Sequence, residues 1–245
     1  MVLEAIGLVG GYASAEQVVK GVTLRADSGE LVSVIGPNGA GKSTALKLIS
    51  GLLRPTAGEV RIAGEDLAGR SAQALARAGL GFVPQERNVF AALSVHENLE
   101  MGCLFARRET GRRADRAYAR FPMLVEKRRA AAGSLSGGQR QILAMAMALM
   151  GEPRALLLDE PTAGLSPAAA HDLLATIRGL AREGLAVLMV EQNALDALDA
   201  SDRATVLVDG RNHLDGTARA VADDPDIRRL FLGGRHSKPA SGAHP

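Results

Sequence analysis

Eight residues, Gly36-Pro37-Asn38-Gly39-Ala40-Gly41-Lys42-Ser43, place three glycines, a lysine and a hydroxyl at the spacing of a phosphate-binding loop, with Thr44 behind them. Glycines let successive backbone N–H groups close around phosphate oxygens, and a helix starting behind the loop adds positive potential. Lys42 can then reach the β- and γ-phosphates, and Ser43 offers its hydroxyl to Mg²⁺. A second group, Ala155-Leu156-Leu157-Leu158-Asp159-Glu160, is an apolar run that delivers two carboxylates at its end. Asp159 is expected to hold the water shell of a metal. Glu160, one residue further, can turn toward an attacking water as general base. The chemistry these residues can perform together is hydrolysis of a nucleoside triphosphate.

Such a site needs strands that end beside one another and a helix that starts at the glycine loop. Short apolar runs at Ala5 to Val9, Val18 to Leu24, Leu31 to Ile35, Gly58 to Ile62 and Leu80 to Val83 predict strands, bounded by Gly, Pro or Asp-Ser-Gly breaks. Helical spacing from Gly41 to Ile49 puts a helix directly behind the loop. From residue 86 to 150 the β signal fades, and Ser94-Val95-His96-Glu97 reads as a capping box opening a helix. Afterwards the alternation returns: Ala155 to Leu158 (strand), Pro167 to Arg182 (helix), Leu185 to Val190 (strand), a short helix from Asn193, and Thr205 to Val208 ending in an Asp209-Gly210 turn. The fold class predicted is α/β. A single domain is expected over residues 1–232, with a catalytic core at 1–85 and 151–232 and a helical insert at 86–150. The tail from Gly233 to Pro245 is expected to be disordered.

Between these elements stands Leu135-Ser136-Gly137-Gly138-Gln139-Arg140, which ends 19 residues before Asp159. Ser136 with two glycines reads as a capped helix start that exposes N–H donors, an anion site that lacks a phosphate of its own. This loop resembles the signature of the ABC ATPases, and with Gln85 after a strand and Tyr12 upstream the chain is similar to that family over about residues 1 to 232. The resemblance implies a P-loop core with an antiparallel β element near the N-terminus and a helical subdomain. It also implies that ATP and Mg²⁺ are bound, with Tyr12 stacked on adenine and Gln85 touching the metal beside Ser43 and Asp159. Ser136, Gly137, Gly138 and Gln139 would close over the γ-phosphate held by a second ATPase subunit, a paralogue or another copy, arranged head to tail. Gln192 stands where the family usually carries a histidine aimed at the γ-phosphate. Ser166 stands at the acidic end of the loop Ala163-Gly164-Leu165-Ser166.

Three further stretches narrow the resemblance: Asn88-Val89-Phe90 with Glu97-Asn98-Leu99 and Met101-Gly102, then Arg120-Phe121-Pro122, then Val190-Glu191-Gln192-Asn193-Ala194. Together they look like the LivF-type subunit of branched-chain amino acid importers; urea and short-chain amide importers use similar subunits. That likeness implies two integral membrane permease subunits as partners, an external solute-binding protein acting indirectly, and a place on the inner face of the cell membrane. A soluble ABC protein acting on ribosomes or DNA is the rival class, and it usually carries two motif sets or a long insert. No internal repeat of that kind is visible here.

Composition sets the bounds. Lys and Arg number 29 against 27 Asp and Glu, so a net charge of +2 gives no field that argues for nucleic acid. Aromatic residues make up 3% of a chain that is 47% hydrophobic, which demands an aliphatic core. Met1 to Gly10 reads as a strand rather than a signal peptide. The longest strongly apolar run, Ile142 to Met150, is about half the roughly 18 residues that suggest a membrane span. Cys103, the single cysteine, is expected to be a small buried hydrophobe. Met145, Met147 and Met150 are expected in or near the core, and the basic residues from Arg107 to Arg129 on a solvated helical face. The five histidines show no metal-ligand spacing.

Overall fold

The computed structural model describes residues 1–13, 17–104 and 106–232; the tail expected to be disordered lies outside the described residues. The chain opens with strands β1 (Leu3–Gly10), β2 (Val19–Ala26) and β3 (Leu31–Ile35), and the glycine loop leads into helix α1 (Lys42–Ile49). Strands β4 (Ala57–Ile62) and β5 (Glu65–Asp66), helix α2 (Ala72–Arg77) and strand β6 (Leu80–Val83) follow. Next come helices α3 (Val95–Gly102), α4 (Thr110–Arg120), α5 (Met123–Glu126) and α6 (Gly137–Leu149). Alternation resumes with β7 (Ala155–Asp159), α7 (Pro167–Arg182), β8 (Ala186–Val190), α8 (Ala194–Ala200) and β9 (Arg203–Val208). The last elements are β10 (Arg211–Thr217), α9 (Ala218–Asp223) and α10 (Pro225–Leu232).

Two sheets form. One is antiparallel with the order β2-β1-β4-β5, and the other runs β10-β9-β3-β8-β7-β6. Within the second, β9, β3, β8, β7 and β6 are mutually parallel and β10 folds back antiparallel on β9. Every residue of β3, β7 and β8 is buried, as expected of parallel strands covered on both faces. Their side chains alternate between two cores because the strand period is two. Val32, Val34, Leu157, Leu188 and Val190 join Ala45, Leu46 and Ile49 of α1 and the inner face of the antiparallel sheet. Leu31, Ile35, Leu156, Leu158, Val187 and Met189 pack instead against Leu173, Ile177 and Leu180 of α7 and Leu198 of α8. Large aliphatic side chains fill both layers.

The four helices between β6 and β7 build a third core from Val95, Leu99, Tyr118, Leu124, Leu143 and Ala146. Cys103 and Met150 are buried in it, Met147 packs against it, and Met145 belongs to the core under α7. Ser94 starts α3 with the expected capping box: its N–H donates to Glu97 Oε2 at 2.7 Å, and the Glu97 N–H donates back to Ser94 Oγ at 3.2 Å. The basic face of α4 is more than solvated. Arg113 and Arg116 pair with Glu152 at 3.1 and 2.6 Å, Arg120 pairs with Glu183, and the Arg113 guanidinium donates to Met150 O at 2.7 Å. The arginines are therefore neutralised partly by Glu109 within the insert and partly by Glu152 and Glu183 on the loops next to β7 and β8, outside it.

Helix α3 lies close to α6 because Gly102 has no side chain: a Cβ there would stand 2.3 Å from the carbonyl oxygen of Met147. Helix backbone cannot retreat as a flexible side chain does, so the helices would have to separate. Gly102→Ala should destabilise the chain by about 1–3 kcal/mol, read as a lower midpoint in urea unfolding, while the affinity of the intact fraction for nucleotide is unchanged.

Candidate functional site

The phosphate loop leaves the C-terminal end of β3, Gln192 follows the end of β8, Asp159 closes β7 with Glu160 after it, and Gln85 follows β6. Those strands are neighbours in the order β3-β8-β7-β6 and parallel, so all four segments emerge at one edge of the sheet. Ligands bind at that edge in open α/β sheets.

Gly36 turns the loop off β3 where only a glycine fits, since a Cβ would lie 2.2 Å from Leu207 O. Gly41 caps α1 in the left-handed region with φ of 93°. Lys42 is 5% exposed, and its Nζ donates to Gly36 O at 2.8 Å and to Pro37 O at 3.2 Å. Burial pulls its pKa down, and the charges of Glu160 and Asp159 oppose that pull. The lysine thus folds over its own loop with two carboxylates in electrostatic reach. Asp159 is 4% exposed, and its Oδ1 has no hydrogen-bond partner. Burial raises its pKa against a hydrogen bond from Ser43 and the charges of Lys47 and Lys42. A buried, unsatisfied carboxylate oxygen beside a serine hydroxyl is costly unless a cation completes it. The pair therefore fits Mg²⁺, a hard cation that takes oxygen ligands. Among the described residues no cluster of three or more His, Cys, Asp or Glu side chains forms a separate metal site.

Glu160 has φ of 46°, the left-handed region that a residue with a side chain enters only at a cost. Its N–H donates to Val190 O at 2.9 Å, which joins the ends of β7 and β8. Its Oε2 accepts from Gln85 Nε2 at 2.9 Å. Gln192 Nε2 donates to Asn38 Oδ1 at 3.3 Å, so the residue after β8 already touches the phosphate loop. Tyr12 is exposed beside α1, where Lys47 donates to its hydroxyl at 3.1 Å and stands 5.3 Å from its ring centre. Bonds from Lys47 and, more weakly, Thr44 hold its phenol below the ordinary pKa against the effect of burial.

The signature residues are not part of this cluster. Ser136 caps α6 through a reciprocal pair, Ser136 N–H to Gln139 Oε1 at 3.0 Å and Gln139 N–H to Ser136 Oγ at 3.3 Å. Gly137 lies near Leu165, and no hydrogen bond among the described residues joins Ser136, Gly137, Gly138 or Gln139 to residues 36–43. Ser166 has a local role: its Oγ caps α7 by accepting from Ala169 N–H at 3.4 Å, a role an aspartate could fill equally well.

Two further groups, Asn88 and Glu191, appear in the sequence only as part of the LivF-type likeness and were given no role. Asn88 donates to Pro84 O at 3.3 Å and to Gln141 Oε1 at 2.9 Å, and so ties the Gln85 turn to the helix that Ser136 caps. Glu191 is buried between Thr162 and Gln192, and the signal available for it was a charge set against a wholly apolar strand. A cleft of about 590 Å³ lies elsewhere, at the N-terminal ends of β7 and β8 between Arg154, Leu185 and α4. None of the phosphate-site residues lines it, so volume is a poorer guide to the chemistry here than hydrogen bonding and burial.

The fold and this edge define a P-loop nucleoside triphosphatase. The ABC transporter family model matches residues 19–163. The chain is 40% identical to the high-affinity branched-chain amino acid transport ATP-binding protein BraG of Pseudomonas aeruginosa, over 92% of this chain and 97% of that one. It is 36% identical to the lipopolysaccharide export system ATP-binding protein LptB of Haemophilus influenzae, over 95% and 97%. A nucleotide-free ATP-binding cassette from an ABC transporter superposes with a TM-score of 0.83 at 25% identity, over 95% of this chain and 99% of that chain. A dimeric cassette in a post-hydrolysis state with ADP and Pi gives 0.76 at 29% identity, over 89% and 99%. The chain belongs to the ABC transporter family, as an ATP-hydrolysing subunit.

The raised pKa of Asp159 makes a stability prediction for the metal-free chain. The folded form binds its proton more tightly than the unfolded form, so wild-type stability falls as pH rises from the ordinary carboxylate value, about 3.9, through the raised one. Asp159→Asn should therefore be more stable than wild type near neutral pH in chelator, and the difference should close below about pH 4. Chemical unfolding across pH measures it.

Proposed function

We propose that this chain powers import of branched-chain amino acids by Mg²⁺-dependent ATP hydrolysis at a site it shares with a second ATPase subunit. The observation that carries the chemistry is the delivery of Lys42, Gln192, Asp159 with Glu160, and Gln85 by four adjacent parallel strands. Backbone N–H groups of Gly36 to Ser43 with Lys42 hold the phosphates. Ser43, Asp159 and the amide oxygen of Gln85 would hold Mg²⁺, which would supply positive charge against the charge that develops on the phosphates. Glu160 accepts the proton of the attacking water, Gln192 donates from its amide to the γ-phosphate, and Tyr12 stacks on adenine. Lys42, Gln85, Glu160 and Gln192 are already engaged with residues of the same edge, so nucleotide has to exchange those bonds for its own.

Ser136, Gly137, Gly138 and Gln139 supply a donor-rich helix start that does not meet the phosphate loop of its own chain. A head-to-tail partner, a paralogue or a second copy, brings such a loop to the site. The related cassette solved as a dimer with ADP and Pi supports that arrangement. No helix among the described residues is long and apolar enough to cross a membrane, so solute passage is assigned to two permease subunits that hold this chain at the inner face, with a solute-binding protein acting on them from outside.

The identity with BraG and the sequence Val190-Glu191-Gln192-Asn193-Ala194 favour branched-chain amino acids. Lipopolysaccharide export is the second reading, because LptB covers as much of the chain at 36% identity; urea and short amides remain alternatives among importers. The decisive assay reconstitutes the chain with the membrane subunits encoded beside it. ATP-dependent leucine accumulation in vesicles is expected, and transport of urea or of lipopolysaccharide in its place would overturn the solute assignment.

Glu160→Gln should retain ATP and accumulate as an ATP-bound dimer, with hydrolysis lowered by roughly 10² to 10⁴. Phosphate release and light scattering measure the two effects, and turnover near the wild-type rate would remove Glu160 from the role of base.

A further inference from the structure

Glu191 is a charged residue in a place that strongly disfavours charge. It follows β8, is 3% exposed, and sits beside the negative charge of Glu160. Burial pushes its carboxyl above the usual range, and hydrogen bonds from Thr162 and Gln192 hold it down. Its Oε1 accepts from Thr162 N–H at 3.0 Å, and its Oε2 accepts from Gln192 N–H at 3.3 Å.

The local backbone explains why a carboxylate is needed. Pairing between β7 and β8 extends one step beyond the strands, through Glu160 N–H and Val190 O at 2.9 Å. The next residue is Pro161, which has no N–H to continue it. A cleft of about 370 Å³ borders Thr162, Ala163, Leu165, Glu191 and Gln192. A group with two acceptor oxygens can satisfy one donor from each segment at once.

We propose that Glu191 is a positioning residue for hydrolysis: its buried carboxylate bridges the backbone of the loop that carries Glu160 and the backbone of Gln192, and so fixes the base and the γ-phosphate donor relative to each other. This rests on the roles proposed above for Glu160 and Gln192. Glutamine at this position keeps the shape, but its one carbonyl oxygen can accept from only one side, and its NH₂ faces a donor on the other. The bridge is then cut with little change in volume.

The experiment is a double-mutant cycle on the full chain, co-expressed with the subunits encoded beside it and assayed by ATP turnover, nucleotide affinity and thermal midpoint. Glu191→Gln should lower kcat about tenfold with KM for ATP and nucleotide affinity within about threefold of wild type. Added to Gln192→Ala it should slow the enzyme little further, because both substitutions remove the same aimed donor. Should Glu191→Gln not fold, Glu191→Asp, which withdraws the carboxylate by one methylene, takes its place with the same expectation. A wild-type kcat for the Glu191 variant beside a slow Gln192→Ala overturns the inference and leaves the reading of the site intact. So do fully multiplicative effects of the two substitutions, or parallel losses of affinity and thermal midpoint, which mark a purely structural residue. A wild-type rate for Gln192→Ala overturns the reading of Gln192 itself, and with it this inference.

Discussion

The parallel pairing of β3, β8, β7 and β6 is the constraint on which the rest depends. Parallel strands end on the same side, so every segment that leaves a C-terminal end arrives at one edge without further design. Val34 is paired with Val190, Asp159 with Val190 and Val83 with Leu158. The phosphate loop, Gln192, the two carboxylates and Gln85 therefore stand in a row fixed by backbone hydrogen bonds. A shift of register in any one pair would move a functional group along the strand axis, and would also swap its aliphatic side chains between the two cores. Hydrophobic packing in those cores thus protects the geometry of the polar edge.

That edge holds its own charges in mutual check. Lys42 bonds carbonyls of its loop, Gln85 bonds Glu160, and Gln192 bonds Asn38. Among the described residues, only Asp159 keeps a buried carboxylate oxygen without a partner, and it is the atom that a cation would complete.

Most of this was legible in the sequence because glycine spacing, strand-end carboxylates and capping serines are local signals with local causes. The strands β3, β7 and β8 were readable from largely apolar runs, and α3 and α6 from their capping residues. Strand β10 was not, because its side chains are mostly exposed and its sequence, Arg211 to Thr217, carries no apolar alternation; pairing with β9 after the Asp209-Gly210 turn decides it. Helices α2 and α9 are six residues each, too short for a periodic pattern. In the site, Glu191 and Asn88 carried a likeness but no role, because their meaning lies in contacts across 29 and 53 residues of chain. The pairs that Arg113, Arg116 and Arg120 make with Glu152 and Glu183 are the same case: those acids lie outside the helical segment that was read, whereas Glu109, which pairs with Arg112 and Arg113, lay within it.

The left-handed backbone at Glu160 has an evolutionary consequence. Asn and Gly tolerate that region better than Glu does, so exchanges to either would relax the backbone while discarding the carboxylate. With Glu160 in the role of base proposed above, selection for thermal resistance alone would then favour chains that keep the fold and the nucleotide but no longer turn over. A laboratory screen of variants ranked by melting temperature would meet the same bias, and a library built on this chain should hold position 160 fixed.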